Sequence, residues 1–315
     1  MKIDVKINLK QIAQNIKAYK GRVIFMVKGD AYGHGLVEVS KYAEPLVYGF
    51  GVATVDEGIT LRESGVEKPV LVCQCLPFEI ERALKYRLTP TISNFDTLFA
   101  MDKLGGKCAV KINTGMNRFG FDQNQIEQLK DGLNALILSG VYSHIYSRDS
   151  KEEQCALFDE MTKDIAEGID KHIYASSTAL GNCDIVRIGF NGYKGAMTVE
   201  SKVVAVRLLE KGDNVGYSCT MPKKGYVAWI FGGYADGINR ERPQPVLING
   251  KICPVVAVCM DTFCAYTGGY ECKVGDVVML QNKSLTPEYI ANETNTIPYV
   301  VMTNRVGRVK RIYTQ

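Results

Sequence analysis

The sequence lacks the features that mark membrane, secreted and nucleic-acid-binding proteins. It has no run of about eighteen apolar residues, the length that a membrane-spanning helix needs. Its first residues, Met1-Lys2-Ile3-Asp4, lack the hydrophobic core of a secretory signal. The net charge of +4 is spread along the chain. We interpret the one basic cluster, which consists of Arg305, Arg308, Lys310 and Arg311, as a solvated C-terminal face. The sequence therefore predicts a cytoplasmic protein without a membrane or nucleic-acid partner.

Histidine is scarce, with 3 residues in the chain, and this scarcity argues against a metal centre. The 10 cysteines are scattered, and Cys73 and Cys75 are separated by one residue instead of the two that zinc and redox pairs usually have. Because no secretory signal accompanies the cysteines, most are expected to be reduced thiols. Neither Gly33-His34-Gly35 nor Gly49-Phe50-Gly51 completes a dinucleotide-binding fingerprint. We therefore expect neither a metal site nor a dinucleotide site.

The bulk composition is that of an ordinary globular protein, with 46% hydrophobic and 23% charged residues. A chain of 315 residues exceeds the usual size of one domain. The length therefore predicts one large α/β domain and a smaller second domain.

Residues 22–190 alternate short apolar runs with amphipathic stretches, which is typical of repeated β-α units and a parallel sheet. Eight such units fit a closed (β/α)8 TIM barrel better than an open sheet. The candidate strands lie at residues 22–27, 49–53, 69–73, 89–92, 108–112, 140–144, 172–175 and 185–188.

Two of the intervening helices have signals of their own. Thr54 and Glu57 have the spacing of a capping box at the start of a helix that should stop at Gly65. A second helix is predicted over residues 151–167, where an apolar residue recurs every fourth position. Its apolar stripe consists of Leu157, Met161 and Ile165.

Beyond about Met197 the sequence changes to β-branched runs and turns, which predicts a C-terminal mainly-β domain. Asn249-Gly250 between two apolar runs predicts a tight hairpin, since both residues tolerate positive φ. We expect domains at residues 1–196 and 197–315, with the early run 5–9 as a candidate strand of the second domain. The candidate strands of that domain lie at residues 203–209, 227–231, 245–248, 255–258 and 277–280.

The carboxyl ends of the barrel strands carry several reactive side chains, and in such barrels these ends meet at one mouth. The side chains are those of Lys28, Arg118, His144, Ser176, Ser177 and Arg187. Lys28 closes the apolar run Phe25-Met26-Val27, and covalent bonding to an aldehyde is one way to relieve the cost of burying its ammonium group. A lysine that reaches from a strand end to solvent is the simpler alternative.

Glycines follow the last candidate strand at positions 189, 192 and 195. Barrels often bind phosphate at this place through backbone N–H groups. A flexible turn between two domains is the equal alternative.

Five blocks of residues, in order along both domains, resemble the alanine racemase family. The resemblance covers the chain from about Ile7 to Arg308. The blocks are Lys28-Gly29-Asp30-Ala31-Tyr32-Gly33-His34-Gly35, Lys111-Ile112-Asn113-Thr114-Gly115-Met116-Asn117-Arg118-Phe119-Gly120, Ser143-His144, Val186-Arg187-Ile188-Gly189, and Gly233-Tyr234-Ala235-Asp236-Gly237 with Cys259-Met260-Asp261.

The resemblance implies an isomerase that racemises alanine with pyridoxal 5'-phosphate and supplies D-amino acids for cell-wall precursors. It implies that Lys28 carries the cofactor and moves a proton on one face of the substrate Cα, and that Tyr234 does so on the other face. Arg187 would hold the pyridine nitrogen, with His144 standing behind Arg187 and tuning Tyr234. Because a guanidinium keeps its proton, the ring nitrogen would stay largely unprotonated.

The resemblance also implies the substrate and phosphate ligands. Arg118 would bind the substrate carboxylate with the backbone N–H of Met260, and Lys111 would be a carbamylated lysine that positions Arg118. The phosphate ligands would be Tyr32, Ser177, the backbone of Gly189 and Phe190, and the residue at position 304.

A homodimer with shared active sites is a further implication. Tyr234, Met260 and Asp261 lie in the second domain, so the neighbouring subunit would supply them. A monomer should then be inactive.

Four positions depart from the family pattern: Gly29 replaces the usual Ala, Asn113 replaces Asp, Ser176 replaces Asn, and Asn304 replaces a tyrosine beside the cofactor phosphate. The exchange at position 304 opens volume near the substrate and adds hydrogen-bonding capacity. In this respect the chain is similar to the catalytic half of membrane-bound serine racemases associated with vancomycin resistance. We therefore expect that serine is accepted alongside alanine.

Three other functions remain open at this stage. A decarboxylase or D-amino-acid aldolase with the same cofactor predicts an acidic partner for the pyridine nitrogen, and Arg187 disfavours it. A non-catalytic carrier of pyridoxal phosphate would normally consist of the barrel alone. A barrel enzyme that binds a sugar phosphate directly through Lys28 would have no absorption band near 420 nm, a wavelength expected for lysine-bound pyridoxal phosphate.

Overall fold

The structure is a computed structural model that describes residues 1–134, 136–175, 185–217, 219–269, 271–304 and 306–315. The chain divides into two compact units. The sheet unit comprises Met1–Gln11, Tyr32–His34 and Lys194–Gln315, and the barrel unit comprises Ile12–Ala31 and Gly35–Tyr193.

The chain starts in the sheet unit with strand β1 (Ile3–Asn8) and then forms the eight parallel strands of the barrel unit. These strands are β2 (Arg22–Met26), β3 (Gly49–Val52), β4 (Val70–Val72), β5 (Thr89–Ile92), β6 (Lys107–Lys111), β7 (Ile137–Tyr142), β8 (Lys171–His172) and β9 (Ile185–Ile188). Neighbours along the chain are neighbours in the sheet, and β9 pairs with β2. A bridge between Ala175 and Arg187 links β9 to the segment after β8. The predicted (β/α)8 barrel is confirmed, and each observed strand falls on one of the eight candidates.

Helices connect the barrel strands, and the sequence marks several of their ends. They are Leu9–Lys17, Leu36–Ala43, Val55–Glu63, Ile80–Lys85, Phe95–Leu104, Ile126–Leu133, Lys151–Thr162 and Phe190–Tyr193, with 3-10 turns at Glu44–Leu46, Pro77–Glu79 and Gln123–Gln125. Within the described ranges, no helix is long and apolar enough to cross a membrane.

The predicted helix after Thr54 is confirmed, and the prediction for residues 151–167 is partly wrong. The Thr54 hydroxyl accepts a hydrogen bond from the Glu57 N–H at 3.3 Å, and Gly65 adopts a φ of +96° after the helix end. The second helix stops at Thr162 and buries Phe158 instead of Leu157. Residues on one face of a helix recur at intervals of three and four residues. A strict interval of four therefore moves progressively away from the buried face.

Among the described residues, the sheet unit contains ten further strands. They are β10 (Met197–Leu209), β11 (Asn214–Val215), β12 (Cys219–Thr220), β13 (Gly225–Phe231), β14 (Val246–Ile248), β15 (Lys251–Cys253), β16 (Val255–Val258), β17 (Thr262–Gly268), β18 (Val277–Gln281) and β19 (Val309–Thr314). The main path of its nine-stranded sheet runs β15-β14-β18-β10-β13-β17-β16 with antiparallel pairing. The helices Pro287–Thr294 and Pro298–Thr303 precede β19. The predicted C-terminal mainly-β domain is therefore confirmed.

Two short sequence signals in the sheet unit are also confirmed. Asn249 and Gly250 have φ values of 45° and 82° between β14 and β15, as a tight hairpin turn requires. The early run forms β1, which pairs antiparallel with β10 and parallel with β19. The first strand of the chain is therefore part of the same sheet as the last.

Candidate active site

Lys28 lies two residues after the end of β2 and begins a left-handed helical turn. The φ values of Gly29, Asp30, Ala31 and Tyr32 are 63°, 54°, 53° and 53°. A non-glycine residue in this region costs about 1–2 kcal/mol, because its Cβ approaches the following carbonyl oxygen. The turn therefore needs fixed contacts, and Gly29 is the residue that enters it most easily.

Hydrogen bonds from the barrel unit hold this turn. The N–H of Ala31 donates to the carbonyl of Val27 at 2.7 Å, and the carboxylate of Asp30 accepts from the N–H of Leu36 at 2.7 Å. The carboxylate of Glu57 accepts from the N–H groups of Gly29 and Ala53, both at 2.7 Å. Glu57 thus connects the turn after β2 to the segment after β3, which its expected capping role did not predict.

Arg187 is buried at the carboxyl end of the barrel, and its guanidinium is surrounded by hydrogen-bond acceptors. Nη1 donates to Nδ1 of His172 at 2.6 Å and to the His172 carbonyl at 2.7 Å. Nη2 donates to the carbonyls of Ser143 and Ile173. A guanidinium has five N–H donors, so the Nε–H is the one left without a partner among the described residues.

His172 must be neutral to accept this hydrogen bond through Nδ1. Burial and the adjacent Arg187 guanidinium hold the pKa of His172 well below its ordinary value. The imidazole is stacked on the ring of Tyr142, with centroids 5.1 Å apart and planes 2° apart. The Tyr142 hydroxyl is 2.8 Å from the Thr91 hydroxyl, which fixes the stack from the side of β5.

Lys111 ends β6 and is 6% exposed. Burial, together with the nearby positive charges of Arg118, Arg187 and Lys28, lowers the pKa of Lys111 to about 8, and Cys73 opposes this shift. The ammonium lies 5.5 Å from the ring centroid of Phe119 and 5.7 Å from that of Tyr142. Lys111 therefore has a larger neutral fraction near neutral pH than an exposed lysine has.

The pKa of His144 depends on the combined positive charge at this mouth of the barrel. Burial, together with four cationic side chains, lowers the pKa of His144 to about 3. These side chains are those of Arg187, Lys111, Lys28 and Arg118, in decreasing order. The imidazole of His144 is therefore neutral, and the position attracts anions. Arg187 is hydrogen-bonded to His172, which the sequence did not predict, and the roles of His144 behind Arg187 and toward Tyr234 stay predictions.

Arg118 lies on the loop after β6. Its guanidinium is exposed and lies 5.8 Å from the ring centroid of Phe119. The Asn113 side chain organises this loop by accepting hydrogen bonds from the N–H groups of Gly115 and Asn117. The barrel mouth thus has one exposed cation near three that are less exposed.

The glycine segment after β9 combines a close packing contact with a turn. Gly192 allows close packing on β2, because a Cβ there would lie 2.5 Å from Cε2 of Phe25. Gly195 has a φ of +71° in open space, as a turn residue does. The helix Phe190–Tyr193 begins directly after Gly189, and phosphate binding by this backbone stays a prediction. Ser176 and Ser177 lie outside the described residues.

Tyr234 lies in the sheet unit and is 40% exposed. Its N–H donates to the carbonyl of Cys259 at 3.0 Å, and the N–H of Ala235 donates to the carbonyl of Met260 at 3.3 Å. Gly233 permits this contact, because a Cβ at that position would lie 2.2 Å from the Cys259 oxygen. The structure therefore brings Tyr234 and Met260 to one surface of the sheet unit.

A buried carboxylate anchors this surface. Asp236 accepts from the backbone N–H of Arg308 at 2.9 Å and from its guanidinium, and Nη1 of Arg308 donates to Asp261 at 2.7 Å. Burial opposes the ionisation of Asp236, but the hydrogen bonds from Arg308 hold its pKa below the ordinary value. The expectation of a solvated C-terminal basic face is wrong for Arg308, whose acidic partners are distant in sequence.

Asn304 and Tyr32 are two further predicted ligands, both in the sheet unit. The Asn304 amide donates to the carbonyl of Gly237 at 2.9 Å, three residues after Tyr234. A cavity of about 40 Å³ lies beside Asn304 and is also lined by Gln244 and Thr294. Tyr32 is buried, and its ring centroid lies 6.2 Å from that of Tyr299.

Sequence reasoning missed several residues that shape these two surfaces. His172 was placed only in a strand, Glu57 only at a helix start, and Cys73 only in a strand and a rejected zinc pair. The scarcity of histidine is a signal that could have found His172, because two of the three histidines lie near barrel strand ends. The anchoring role of Arg308 has no such signal, since its partner Asp236 is 72 residues away.

Comparisons with known proteins match the whole chain to one family. The model of the alanine racemase N-terminal domain matches residues 4–196, and that of the alanine racemase C-terminal domain matches residues 196–313. A curated alanine racemase of Thermodesulfovibrio yellowstonii is 33% identical over 99% of this chain and 97% of its own length. One of Streptococcus pyogenes serotype M5 is 31% identical over 98% and 97%. The solved structure of alanine racemase from Clostridium difficile 630 has a TM-score of 0.91 and 28% identity, and it covers 100% of this chain and 96% of its own.

The left-handed turn predicts that Gly29→Ala lowers the free energy of unfolding by about 1 kcal/mol, because alanine is strained at positive φ. Gly168→Ala is the matched control, since Gly168 has a φ of +69° in open space and lies before the start of β8, whereas Gly29 lies after the end of β2. Urea unfolding followed by circular dichroism should give similar losses for both variants. An unchanged stability of Gly29→Ala would contradict a left-handed conformation at this position.

The buried cation predicts that Lys111→Met stabilises the protein by about 3 kcal/mol at pH 7, because the pKa difference between about 8 and the ordinary 10.5 is a folding penalty for the charged form. Below pH 8 both folded and unfolded states are protonated, so the gain is complete there. It should shrink between pH 8 and pH 10.5.

Urea unfolding of Lys111→Met in carbon-dioxide-free buffer at pH 7 and pH 10 measures this difference. Lys107→Met is the control, because Lys107 is exposed at the other end of β6. Its stability should change by less than about 0.5 kcal/mol at either pH. An equal gain for Lys111→Met at both pH values would contradict the lowered pKa.

Proposed function

Because the chain belongs to the alanine racemase family, we propose that it is a pyridoxal-phosphate-dependent isomerase that interconverts L- and D-alanine. The observation that carries the proposal is the cationic mouth of the barrel. Lys28, Lys111, Arg118 and Arg187 act together on His144. An amino-acid carboxylate and a cofactor phosphate are the anions that such a mouth would bind.

The residues present fit pyridoxal phosphate. The Nε–H of Arg187, for which the described residues offer no acceptor, suits an unprotonated pyridine nitrogen, and Lys28 supplies the amine for covalent attachment. We propose Tyr32, Ser177, Asn304 and the backbone of Gly189 and Phe190 as ligands of the phosphate. When bound, the cofactor draws electrons from the substrate Cα and makes its hydrogen acidic.

The chain's own residues then hold the substrate and move the proton. Arg118 binds the carboxylate, assisted by the backbone N–H of Met260. Lys28 Nζ takes or returns the Cα proton on one face, and Tyr234 Oη does so on the other, because inversion needs a base on each side. A decarboxylase would favour an acidic group where Arg187 lies, and the His172 and carbonyl acceptors support a permanent cation there.

Lys111 is the residue that we propose to carry a carbamate. The neutral amine is the form that adds carbon dioxide, and the pKa near 8 raises its fraction. Addition forms an N–C bond and releases a proton, so the product is an anion. An anion at Lys111 would replace a repulsion of Arg118 by an attraction, which would hold the substrate-binding guanidinium in place.

Tyr234, Met260 and Asp261 are proposed to act on the barrel mouth of a second copy of the chain. In this homodimer each active site combines the barrel unit of one subunit with the sheet unit of its partner. The proposed domain boundary stays between residues 196 and 197. The exposed Tyr234 ring and the Met260 side chain, which is 50% exposed, support a surface that completes another site.

The function is tested with a racemisation assay on L-alanine after addition of pyridoxal phosphate. Lys28→Ala should abolish the absorption band near 420 nm together with activity. Tyr234→Phe should keep the band but lower kcat by about 10²–10⁴-fold, because it removes one proton-transfer group.

The spectroscopic arm separates the competing functions. A protein that gains no band would exclude a pyridoxal-phosphate enzyme. A protein with the band but no racemisation of any amino acid would fit a non-catalytic carrier. Full activity of Tyr234→Phe would contradict the two-base assignment.

Serine is the second substrate that we propose. Asn304 supports this proposal, because the carboxamide lies beside a cavity and can hydrogen-bond a hydroxyl. Asn304→Tyr should lower kcat/KM for L-serine by about tenfold more than for L-alanine, since one specific hydrogen bond is worth about that much. Asn239→Tyr is the control for filling the cavity with a phenol ring, because Asn239 lines the same cavity and the Asn304 amide is kept. An equal loss for both substrates would contradict the serine assignment.

A further inference from the structure

Asn113 lies at the centre of the loop that carries Arg118, and all of its side-chain hydrogen-bonding groups are used. Oδ1 accepts from the N–H groups of Gly115 and Asn117 at 3.1 and 3.0 Å. Nδ2 donates to Oδ1 of Asn117 at 2.9 Å and to Oδ1 of Asp122 at 2.7 Å. One amide therefore connects the start of the loop to its middle and to its far end.

The far end of the loop is fixed to β6 by the backbone. The N–H of Phe121 donates to the carbonyl of Lys111 at 3.0 Å, and the N–H of Asn113 donates to the carbonyl of Phe121 at 2.9 Å. The Phe121 side chain is fully buried. Arg118 thus lies between two anchored points, Asn117 on one side and Phe121 on the other.

Only a donor at position 113 suits Asp122. A carboxylate at position 113 would keep the hydrogen bonds from Gly115 and Asn117, because its oxygens accept as the amide oxygen does. It would also place a second negative oxygen where Nδ2 now lies, 2.7 Å from the Asp122 carboxylate. Two carboxylates at this distance repel each other, and the loop would have to open.

We propose that the hydrogen bond between Asn113 and Asp122 positions Arg118 for the substrate carboxylate, so that Asn113 and Asp122 are a matched pair in which one residue must be an amide. This inference rests on the proposed function, since the carboxylate that Arg118 holds is that of the proposed amino-acid substrate. Neither residue touches the substrate, and each acts through the conformation of the loop.

The test exchanges the charge between the two positions. Asn113→Asp should raise KM for alanine about fivefold, which corresponds to about 1 kcal/mol. Its kcat should stay within about twofold, because a carboxylate that is held equally less tightly in the ground and transition states changes KM alone. The double variant Asn113→Asp with Asp122→Asn should return KM to near the wild-type value, since the new amide at position 122 donates to the new carboxylate.

Two single variants control for charge and chemistry. Asp122→Asn alone retains an acceptor for Nδ2 and should change KM by less than about twofold. Asn124→Asp makes the same amide-to-acid change at an exposed position two residues from Asp122 and should leave KM unchanged. A KM increase in Asn124→Asp as large as that in Asn113→Asp would overturn the proposal, because charge alone would then explain it.

Hydrogen exchange of the Gly115 and Asn117 amides gives a readout that needs no turnover. Exchange should accelerate in Asn113→Asp and return to the wild-type rate in the double variant. An active wild-type enzyme whose KM is unchanged in Asn113→Asp, or is not restored in the double variant, overturns the positioning role. A wild-type chain with the cofactor band but no alanine turnover overturns the proposed function instead, and the role of Asn113 with it, whatever the exchange rates are.

Discussion

The buried guanidinium of Arg187 is the interaction on which the barrel mouth depends. Its acceptors come from the ends of neighbouring strands: the carbonyl of Ser143 follows β7, and the carbonyl and ring of His172 end β8. A cation that is desolvated in this way needs every acceptor, because an unpaired buried charge is strongly destabilising. The same positive charge disfavours protonation of His172 and His144 and helps to lower the pKa of Lys111. Arg187 therefore both links the ends of the strands and contributes to the positive charge of the barrel mouth.

Lys28 is fixed by a different means, a backbone conformation that L-residues adopt reluctantly. The left-handed turn persists because the Glu57 carboxylate and the Asp30 side chain bind its N–H groups and those of its neighbours. As a consequence, the backbone position of Lys28 depends on the hydrogen bonds by which Glu57 links the segments after β2 and β3. Strained backbone held by surrounding structure is typical of functional sites.

The sequence predicted what depends on local pattern and missed what depends on distant partners. Apolar runs located the barrel strands, and Asn249-Gly250 located a hairpin, because both signals lie within a few residues. The left-handed turn was not predicted, since helix propensities describe right-handed helices. His172 and Arg187 are 15 residues apart, and Glu57 reaches back 28 residues to Gly29, so neither contact has a local signature. The topology predicted which residues lie at strand ends, whereas their hydrogen-bond partners became known only from the three-dimensional structure.

The pairing of β1 with both β10 and β19 has a consequence for the order in which the protein is assembled. Ile3 lies opposite Val309, and every residue of the barrel is synthesised between them. The barrel strands are complete at Ile188, before either neighbour of β1 has been made. Contacts between such distant segments form late, because the intervening chain must first be ordered. Strand β1 is therefore among the last elements to pair in the sheet. Until it pairs, the apolar residues Ile3, Val5 and Ile7, which are buried in the folded protein, are exposed on the growing chain.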